Sequence, residues 1–379
     1  MKQHTVSPVG RRHRYVIIMA GGRGERFWPV SRQRRPKQLL TLLGERSFLQ
    51  QAVDRVAPLA PPENLFVITN AAQVRAVRQQ LPELPADNIL GEPCGRDTCA
   101  AVALGAALVA ARSPQGVMAV LPADHVIPEP ARFQKVLRDA FHVAAREPAL
   151  VTLGIQPTEP ATGYGYIRFG ERLPERIGGR TLKTPFHVVE RFVEKPPLAK
   201  AKAYLKSGRY RWNAGMFVWS VPTITAGLAA HRPGMAEACA RWTGAASAPR
   251  RLARVLARDY PALEKISIDY ALLEKADNVL MAAGDFAWDD LGTWTALARH
   301  LAPDADGNHA VADFLSVDSS GNIVFDARTK QRGLVATVGL NHCILVLTDD
   351  AMLVLPRDRA QELKQLVAKL DQAGRKELL

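Results

Sequence analysis

The sequence has few cysteines and no long apolar run. Its 379 residues include 4 cysteines, none of them in a CxxC pair or another metal-ligand spacing. A disulfide framework and a zinc site are therefore not indicated, and a reducing compartment is expected. No run approaches the roughly 18 apolar residues of a membrane helix, and the first apolar stretch, Tyr15–Ala20, is too short for a signal-peptide core. We expect a cytoplasmic protein that binds no membrane.

Acidic residues are in the minority. The chain has 50 lysines and arginines against 37 aspartates and glutamates, which gives a formal net charge of +13. This excess suits a protein that handles polyanions, whether nucleotides, sugar phosphates or nucleic acids. The aromatic or arginine stacking platforms of a nucleic-acid binding protein are not apparent in the sequence. We therefore expect small phosphorylated ligands and no nucleic acid.

Short apolar runs rich in β-branched residues alternate with longer segments rich in alanine and leucine. This alternation is typical of an α/β domain with a Rossmann-like, mostly parallel sheet. The apolar segment 97–112 is predicted to be a buried helix that Asp97 or Thr98 caps. The less apolar stretch 243–258 is interpreted as a surface insertion. The predicted strands are Tyr15–Ala20, Leu65–Thr69, Val117–Leu121 and Leu150–Ile155.

A change of pattern after His300 predicts a domain boundary near residue 302. A segment rich in proline, aspartate, glycine and asparagine gives way to short strands, at 323–325, 334–338 and 344–347. An amphipathic helix is predicted from Asp358 to Leu370. We therefore expect a main domain over residues 1–302 and a small C-terminal β domain with a terminal helix over residues 303–379.

The loop after the first predicted strand has the character of a phosphate site. Its glycines leave backbone N–H groups uncovered where a phosphate chain can approach. Its cationic side chains add charge-assisted contacts. We interpret the loop as a triphosphate cradle. Its glycines are Gly21, Gly22 and Gly24, and its cations are Arg23, Arg26 and Lys37.

In its full length this loop resembles the signature of the sugar nucleotidylyltransferases, GGxGxRxxPxxxxxPK. Every fixed position is filled, and Trp28, Ser31 and Gln38 make the loop similar to the mannose-1-phosphate guanylyltransferase branch. The resemblance implies a Mg²⁺-dependent enzyme that transfers GMP from GTP to α-D-mannose 1-phosphate and releases GDP-mannose and pyrophosphate. It also implies a C-terminal segment like a left-handed β-helix, a candidate for homodimer contacts. Bifunctional members carry a further cupin-type isomerase domain, for which this chain is too short.

Further segments extend the resemblance along the chain. They read LPADH, TGYGY, FVEKP, WNAGMF and WDDLGTW, at residues 121–125, 162–166, 192–196, 212–217 and 288–294. Asp124 follows a predicted strand, where a carboxylate can hold Mg²⁺ against nucleotide phosphates. The resemblance implies Asp290, not Asp289, as the second metal ligand. It implies catalytic Arg26, Lys37 and Lys195; nucleotide-binding Ala20, Gly21, Gly22, Gly24, Glu92, Arg96, Thr98 and Asp124; and sugar-phosphate-binding Gly165, Glu194, Lys195 and Asn213.

The loop 91–98 departs from the family pattern EPxxRNTAPA. Asp97 stands where the family has asparagine, and Cys99 where it has alanine. Preference for guanine is therefore less firmly indicated than the reaction type. One alternative is another sugar-1-phosphate nucleotidylyltransferase, for glucose 1-phosphate with dTTP or UTP. Another is a catalytically silent relative that senses nucleotide sugars, against which the intact catalytic set argues, and a third is a nucleic-acid binding protein.

Overall fold

The computed structural model describes residues 10–22 and 24–379. Arg23, which the sequence assigns to the triphosphate cradle, lies outside the described residues. The described chain forms two compact units. Unit A contains residues 10–21, 51–123 and 127–288, and unit B contains residues 22–50, 124–126 and 289–379. The division of the sequence at residues 302 and 303 stays a prediction.

Strands and helices alternate along the chain. The strands are β1 Arg14–Ala20, β2 Leu65–Asn70, β3 Ile89–Glu92, β4 Val117–Pro122, β5 Leu150–Ile155, β6 Tyr166–Arg172, β7 Arg176–Ile177, β8 Arg180–Thr181, β9 Phe186–Val193, β10 Tyr210–Ser220, β11 Val279–Gly284, β12 His309–Val311, β13 Phe314–Val317, β14 Ile323–Asp326, β15 Val335–Val338, β16 Cys343–Leu347 and β17 Met352–Pro356. The α-helices are α1 Phe48–Val56, α2 Val74–Gln80, α3 Asp97–Arg112, α4 Pro130–Ala144, α5 Leu198–Ser207, α6 Val221–His231, α7 Pro233–Thr243, α8 Pro249–Asp259, α9 Trp294–Leu297 and α10 Leu363–Gln372.

In the described part of unit A, nine strands form one sheet. Their order is β3-β2-β1-β4-β10-β5-β11-β9-β6. β3, β2, β1 and β4 pair in parallel, as do β5 and β11. Only β10 and β9 run against their neighbours, so seven of the nine strands share one direction. The predicted α/β class with a mostly parallel sheet is confirmed.

The helix α3 covers the residues that the sequence predicts, and its middle is buried throughout. A side chain on Gly105 would come within 2.9 Å of Ile17 on β1, so the helix lies close against the sheet. The predicted capping holds in part for Asp97, whose Oδ1 atom accepts a hydrogen bond from the backbone N–H of Thr98 at 2.7 Å, but not for Thr98. Asp97 is the first helical residue, with φ of 65°, and the Thr98 hydroxyl accepts a hydrogen bond from the backbone N–H of Ile268. The hydroxyl is therefore engaged with another segment of unit A.

The stretch 243–258 was wrongly interpreted as a surface insertion. Most of it forms helix α8, whose Leu252 and Leu256 are buried in the same apolar cluster as Trp242 and Tyr260. Arginines and alanines dilute the segment, which lowers its average apolarity. The two leucines stand four residues apart, on one face of the helix, and that spacing is what buries them.

The C-terminal strands of unit B stack as parallel rungs. β12 pairs with β14, β14 with β16, and β13 with β15, all in parallel, while the antiparallel β17 closes the stack. Buried asparagines join the rungs, since the Asn308 side-chain oxygen accepts two hydrogen bonds from Asn322, whose own side-chain oxygen accepts one from Cys343 N–H. The β-helix-like C-terminal domain is confirmed, and its left-handed sense stays a prediction.

Asp289 anchors the segment 124–126 within unit B. Its backbone exchanges two hydrogen bonds with Val126, of 2.9 Å and 3.1 Å. Its buried carboxylate accepts hydrogen bonds from both the Nε and Nη2 atoms of Arg299, lies 3.0 Å from His300 Nε2, and accepts from the backbone N–H of Leu291. Burial opposes ionisation of this carboxyl, but the contacts from His300, Arg299 and Leu291 outweigh it and lower the pKa of Asp289.

Replacing Asp289 with asparagine should therefore destabilise unit B. We expect a loss of about 1–3 kcal/mol in the free energy of unfolding at pH 7, in the lower range because Arg299 is 47% exposed and solvent screens the pair. A lowered pKa means that the stabilisation is complete above the ordinary aspartate value of 3.8 and is lost as the pH falls through the folded value. In urea unfolding, the difference between the two proteins should begin to shrink near pH 3.8 and disappear only below the folded pKa of Asp289.

The exposed Asp358→Asn change is the matched control and should be neutral at every pH. An Asp289→Asn protein as stable as the wild type at pH 7 would contradict the anchoring role.

Candidate active site

The glycine loop in unit B needs glycine at one position for two reasons. Gly24 has φ of 65°, a left-handed conformation that side chains disfavour. A Cβ atom there would stand 2.5 Å from the Cβ of Lys37, closer than any real contact. The loop can thus pass directly over Lys37, which begins a short 3₁₀ turn, Lys37–Leu39, immediately after Pro36. The glycine and the distant lysine of the sequence signature are parts of one packed turn.

Lys37 is buried and joins the two predicted metal ligands. Its Nζ atom lies 2.9 Å from Asp124 Oδ2 and 2.7 Å from the backbone oxygen of Asp290. Burial would raise the pKa of Asp124, but the Lys37 ammonium and the neighbouring His125 outweigh it, and the pKa is lowered. The Asp124 side chain is 39% exposed, whereas that of Lys37 is 5% exposed. The carboxylate is thus ionised and open to a ligand, while its cation is enclosed.

The turn around Asp290 is held in a strained conformation. Leu291 has φ of 45°, and its backbone N–H donates to the Asp289 carboxylate. Arg26 donates to the backbone oxygen of Gly292 at 2.9 Å. A Cβ atom on Gly292 would lie 3.1 Å from Arg26 Nη1 and 3.3 Å from Asp290 Oδ2. Glycine therefore lets the backbone pass close to Arg26 and to the Asp290 carboxylate, and unit B brings the predicted Arg26, Lys37, Asp124 and Asp290 together.

A second group of side chains in unit A surrounds Glu92 at the end of β3. Glu92 is buried, and the Tyr260 hydroxyl donates to its Oε1 atom at 3.1 Å. Its Oε2 atom is 3.1 Å from the place that a Cβ on Gly21 would occupy. Burial, only partly offset by the Tyr260 hydrogen bond, raises the pKa of Glu92 to about 7. The buried Glu92 carboxylate therefore lies beside Gly21, the first glycine of the loop.

Other predicted nucleotide ligands around this group have structural partners. Arg96 donates to the backbone oxygens of Tyr260 and Pro261, so it fixes the segment that carries the Glu92 partner. The backbone oxygen of Ala20 accepts from Thr69, and that of Gly22 accepts from Gln38 within unit B.

A third group, also in unit A, centres on Asn213 of β10. Its backbone N–H donates to Gly165 at 2.8 Å, and a Cβ on Gly165 would stand 2.5 Å from Glu194 Oε2. The next residue, Lys195, has φ of 45°, and its Nζ atom is 2.5 Å from Glu194 Oε1. The predicted sugar-phosphate residues Gly165, Glu194, Lys195 and Asn213 therefore do come together.

This third group contains a carboxylate that the sequence reasoning missed. Asn213 Nδ2 donates to Asp269 Oδ1 at 2.7 Å. Tyr260, beside Glu92, was likewise missed. The signal that could have found Asp269 is a single acidic residue in the apolar context Ile266 to Leu273, which does not suit a solvated helix face.

Trp212 and Phe217 of the WNAGMF segment are buried, so both side chains pack in the interior. Trp212 forms an aromatic contact with Tyr164 of the TGYGY segment, with ring centroids 5.0 Å apart. In residues 10–22 and 24–379, no group of three histidines, cysteines or carboxylates could hold a metal ion by itself, and no helix is long and apolar enough to cross a membrane.

Comparisons with known proteins show the family to which the chain belongs. Residues 15–306 match the family model described as nucleotidyl transferase, and residues 313–370 match that of the MannoseP isomerase/GMP-like beta-helix domain. The chain is 39% identical over 364 residues to the xanthan biosynthesis protein XanB of Xanthomonas campestris pv. campestris, covering 95% of this chain and 74% of that protein.

Two further relatives carry a more specific description. The chain is 38% identical to a mannose-1-phosphate guanylyltransferase of Klebsiella pneumoniae, with 95% of this chain and 74% of that one covered. A crystal structure from Thermus thermophilus, described as mannose-1-phosphate geranyltransferase, superposes with a TM-score of 0.81 at 36% identity, over 95% of this chain and 99% of that one. The chain therefore belongs to the nucleotidyl transferase family, in the branch that contains the mannose-1-phosphate guanylyltransferases.

Proposed function

We propose that this protein transfers GMP from GTP to α-D-mannose 1-phosphate and releases GDP-mannose and pyrophosphate. The observation that carries the proposal is the buried Lys37 bridged between Asp124 and Asp290. Phosphoryl transfer asks a protein mainly for positioning and for neutralisation of charge, and this arrangement supplies both. The names of the relatives that match most of the chain support the same reaction.

In the proposed reaction a phosphate oxygen of mannose 1-phosphate attacks the α-phosphorus of GTP. The new bond joins that oxygen to the α-phosphorus, and the bond to the pyrophosphate oxygen breaks. The attacking phosphate is already ionised at neutral pH, so no general base is required. Lys195 orients the sugar phosphate, while Arg26 and Lys37 stabilise the negative charge of the departing pyrophosphate. His125, which is buried, is assigned to packing beside Asp124.

The donor set in unit B fits a Mg²⁺ ion. Asp124 and Asp290 offer hard carboxylate oxygens, and the Asp124 side chain is 39% exposed. When bound there with substrate phosphates, the ion would offset negative charge on the reacting phosphoryl group. Lys37 already neutralises Asp124, so the two acidic residues can be held in one unit before the ion arrives.

Glu92 is proposed to select guanine. A carboxylate has only acceptor sites, and the guanine edge offers two adjacent donors, N1–H and the 2-amino group. Uracil and thymine offer a single ring N–H between two carbonyls, which would leave a carboxylate facing an acceptor. The Tyr260 hydrogen bond holds Glu92 in place for this contact.

The residues assigned to catalysis and substrate binding all precede residue 302. We therefore propose that residues 1–302 carry the transfer reaction and that residues 303–379 are an appended domain.

The substrate pair can be tested with four nucleotides and two sugar phosphates. GTP, ATP, UTP and dTTP are each combined with mannose 1-phosphate and glucose 1-phosphate, and pyrophosphate release is measured. GTP with mannose 1-phosphate should give the largest kcat/KM. A larger value for dTTP or UTP with glucose 1-phosphate would overturn the proposal, and no release with any pair would favour a silent sensor.

The Glu92→Gln change should weaken discrimination between bases. The amide replaces one acceptor with a donor, so kcat/KM for GTP should fall roughly 10-fold to 100-fold while that for UTP rises relative to it. Because the pKa of Glu92 is raised to about 7, the wild-type KM for GTP should also increase as the pH falls below 7, and this dependence should be absent in the variant.

Exposed Glu83→Gln is the matched control and should behave as the wild type. Unchanged GTP kinetics in Glu92→Gln would remove Glu92 from base recognition.

The Asp124→Asn and Asp290→Asn changes keep the shape of each side chain but remove its charge. Each should lower kcat roughly 100-fold or more and weaken the dependence of the rate on Mg²⁺ concentration. Mg²⁺ titrations and thermal melts of each variant are compared with those of Asp285→Asn, whose side chain is 94% exposed. A lowered melting temperature with kcat nearly unchanged would mean that these aspartates only support the turns they lie on.

A further inference from the structure

Asp269 is a recessed carboxylate for which the proposed reaction has no use. It begins a π-helical turn, Asp269–Leu273, a rare conformation that recurs at functional positions. The segment before it is fixed to the start of α3, since Ile268 N–H donates to Thr98 and Cys99 N–H donates to the oxygen of Ile266. The carboxylate is therefore held on a rigid support.

The orientation of Asp269 is set by Asn213. The Asn213 side-chain oxygen accepts from the buried Thr152 hydroxyl and from the backbone N–H of Gly215, each at 3.2 Å. Its amide nitrogen is thereby turned toward Asp269, to which it donates at 2.7 Å. The amide then has one remaining hydrogen. Asn213, which the sequence assigns to sugar binding, thus orients the Asp269 carboxylate within the same group of side chains.

The Asp269 carboxylate keeps unused capacity to accept hydrogen bonds. In the part of the chain that the structure describes, Asn213 is the one side chain that donates to it, and its own backbone N–H adds a contact. A carboxylate can accept about four hydrogen bonds. Burial, together with the nearby Glu194 and Asp97 carboxylates, raises the pKa of Asp269 to about 6 against the hydrogen bond from Asn213. An additional donor would therefore stabilise its charged form.

The surroundings of Asp269 indicate which donors fit. Glu194 supplies a second carboxylate, and Lys195, paired with it, supplies a single cation. Two carboxylates repel a further phosphate but accept hydrogen bonds from neutral hydroxyl groups. A hexose 1-phosphate carries several neutral hydroxyl groups and a single phosphate, so it matches two carboxylates beside one cation.

We propose that Asp269 accepts a hydrogen bond from a ring hydroxyl of the hexose 1-phosphate and is a determinant of which hexose is used. The inference rests on the proposed function, since it takes the group around Asn213 as the sugar site. It assigns to Asn213 two tasks, donation of its remaining amide hydrogen to the sugar and alignment of Asp269.

The test is the Asp269→Asn variant, which keeps the shape of the side chain and loses its charge. KM for the preferred hexose 1-phosphate should rise roughly 10-fold to 100-fold, while KM for the nucleotide stays at the wild-type value. Asp277→Asn, an exposed change eight residues along the chain, is the matched control and should leave both values unchanged. An equal rise in both KM values, or no rise in either, would overturn the proposal.

A set of monodeoxy hexose 1-phosphates then separates recognition from simple support of the fold. With the wild-type protein, one deoxy analogue should have a lower kcat/KM than the full hexose 1-phosphate. With Asp269→Asn, that analogue should have the same kcat/KM as the full substrate, because the acceptor of its missing hydroxyl is then absent too. Equal additional losses for every analogue would mean that Asp269 only maintains the structure. All measurements use whichever hexose 1-phosphate the wild-type protein prefers. A preference for glucose 1-phosphate would thus refute the proposed function. The role of Asp269 would still be tested in the same way, with the deoxy analogues of glucose 1-phosphate.

Discussion

The arrangement of unit B depends on one buried cation, Lys37, which lies between the segments that carry Asp124 and Asp290. The Lys37 ammonium is almost fully buried, and it contacts both the Asp124 carboxylate and the backbone oxygen of Asp290. A buried ammonium is costly unless it is paired, so Lys37 and its partners stabilise one another. The packed turn at Gly24 lies directly against Lys37, and the Asp289 anchor fixes the segment 124–126, which carries Asp124.

Much of the fold and of the phosphate loop is predictable from the sequence, because short-range patterns determine them. The apolar content of 97–112 predicts a buried helix over its observed residues. The spacing from Gly24 to Lys37 predicts one loop, since both residues belong to a single stretch of chain. The residues predicted to bind the sugar phosphate also lie together, and each could be predicted because it belongs to a recognisable motif: Gly165, Glu194, Lys195 and Asn213.

The features that the sequence does not predict depend on partners far away along the chain. Glu92 and Tyr260 are 168 residues apart, and Asn213 and Asp269 are 56 residues apart. No local spacing relates the members of either pair, so the pairing of Tyr260 with Glu92 and that of Asp269 with Asn213 could not be assigned before the fold was known. Thr98 does not cap α3 for a similar reason, since its hydroxyl accepts a hydrogen bond from the distant Ile268.

The position of β10 constrains how the chain can fold while it is being synthesised. This strand lies between β4 and β5 and pairs with both, and its first residues also pair with β6. Until residues 210–220 have left the ribosome, β4 has one unpaired edge, and β5 has two because its other partner, β11, is made later still. Open edges recruit strands from other chains. A pause in translation just before β10 would therefore prolong the interval in which newly made chains can associate wrongly.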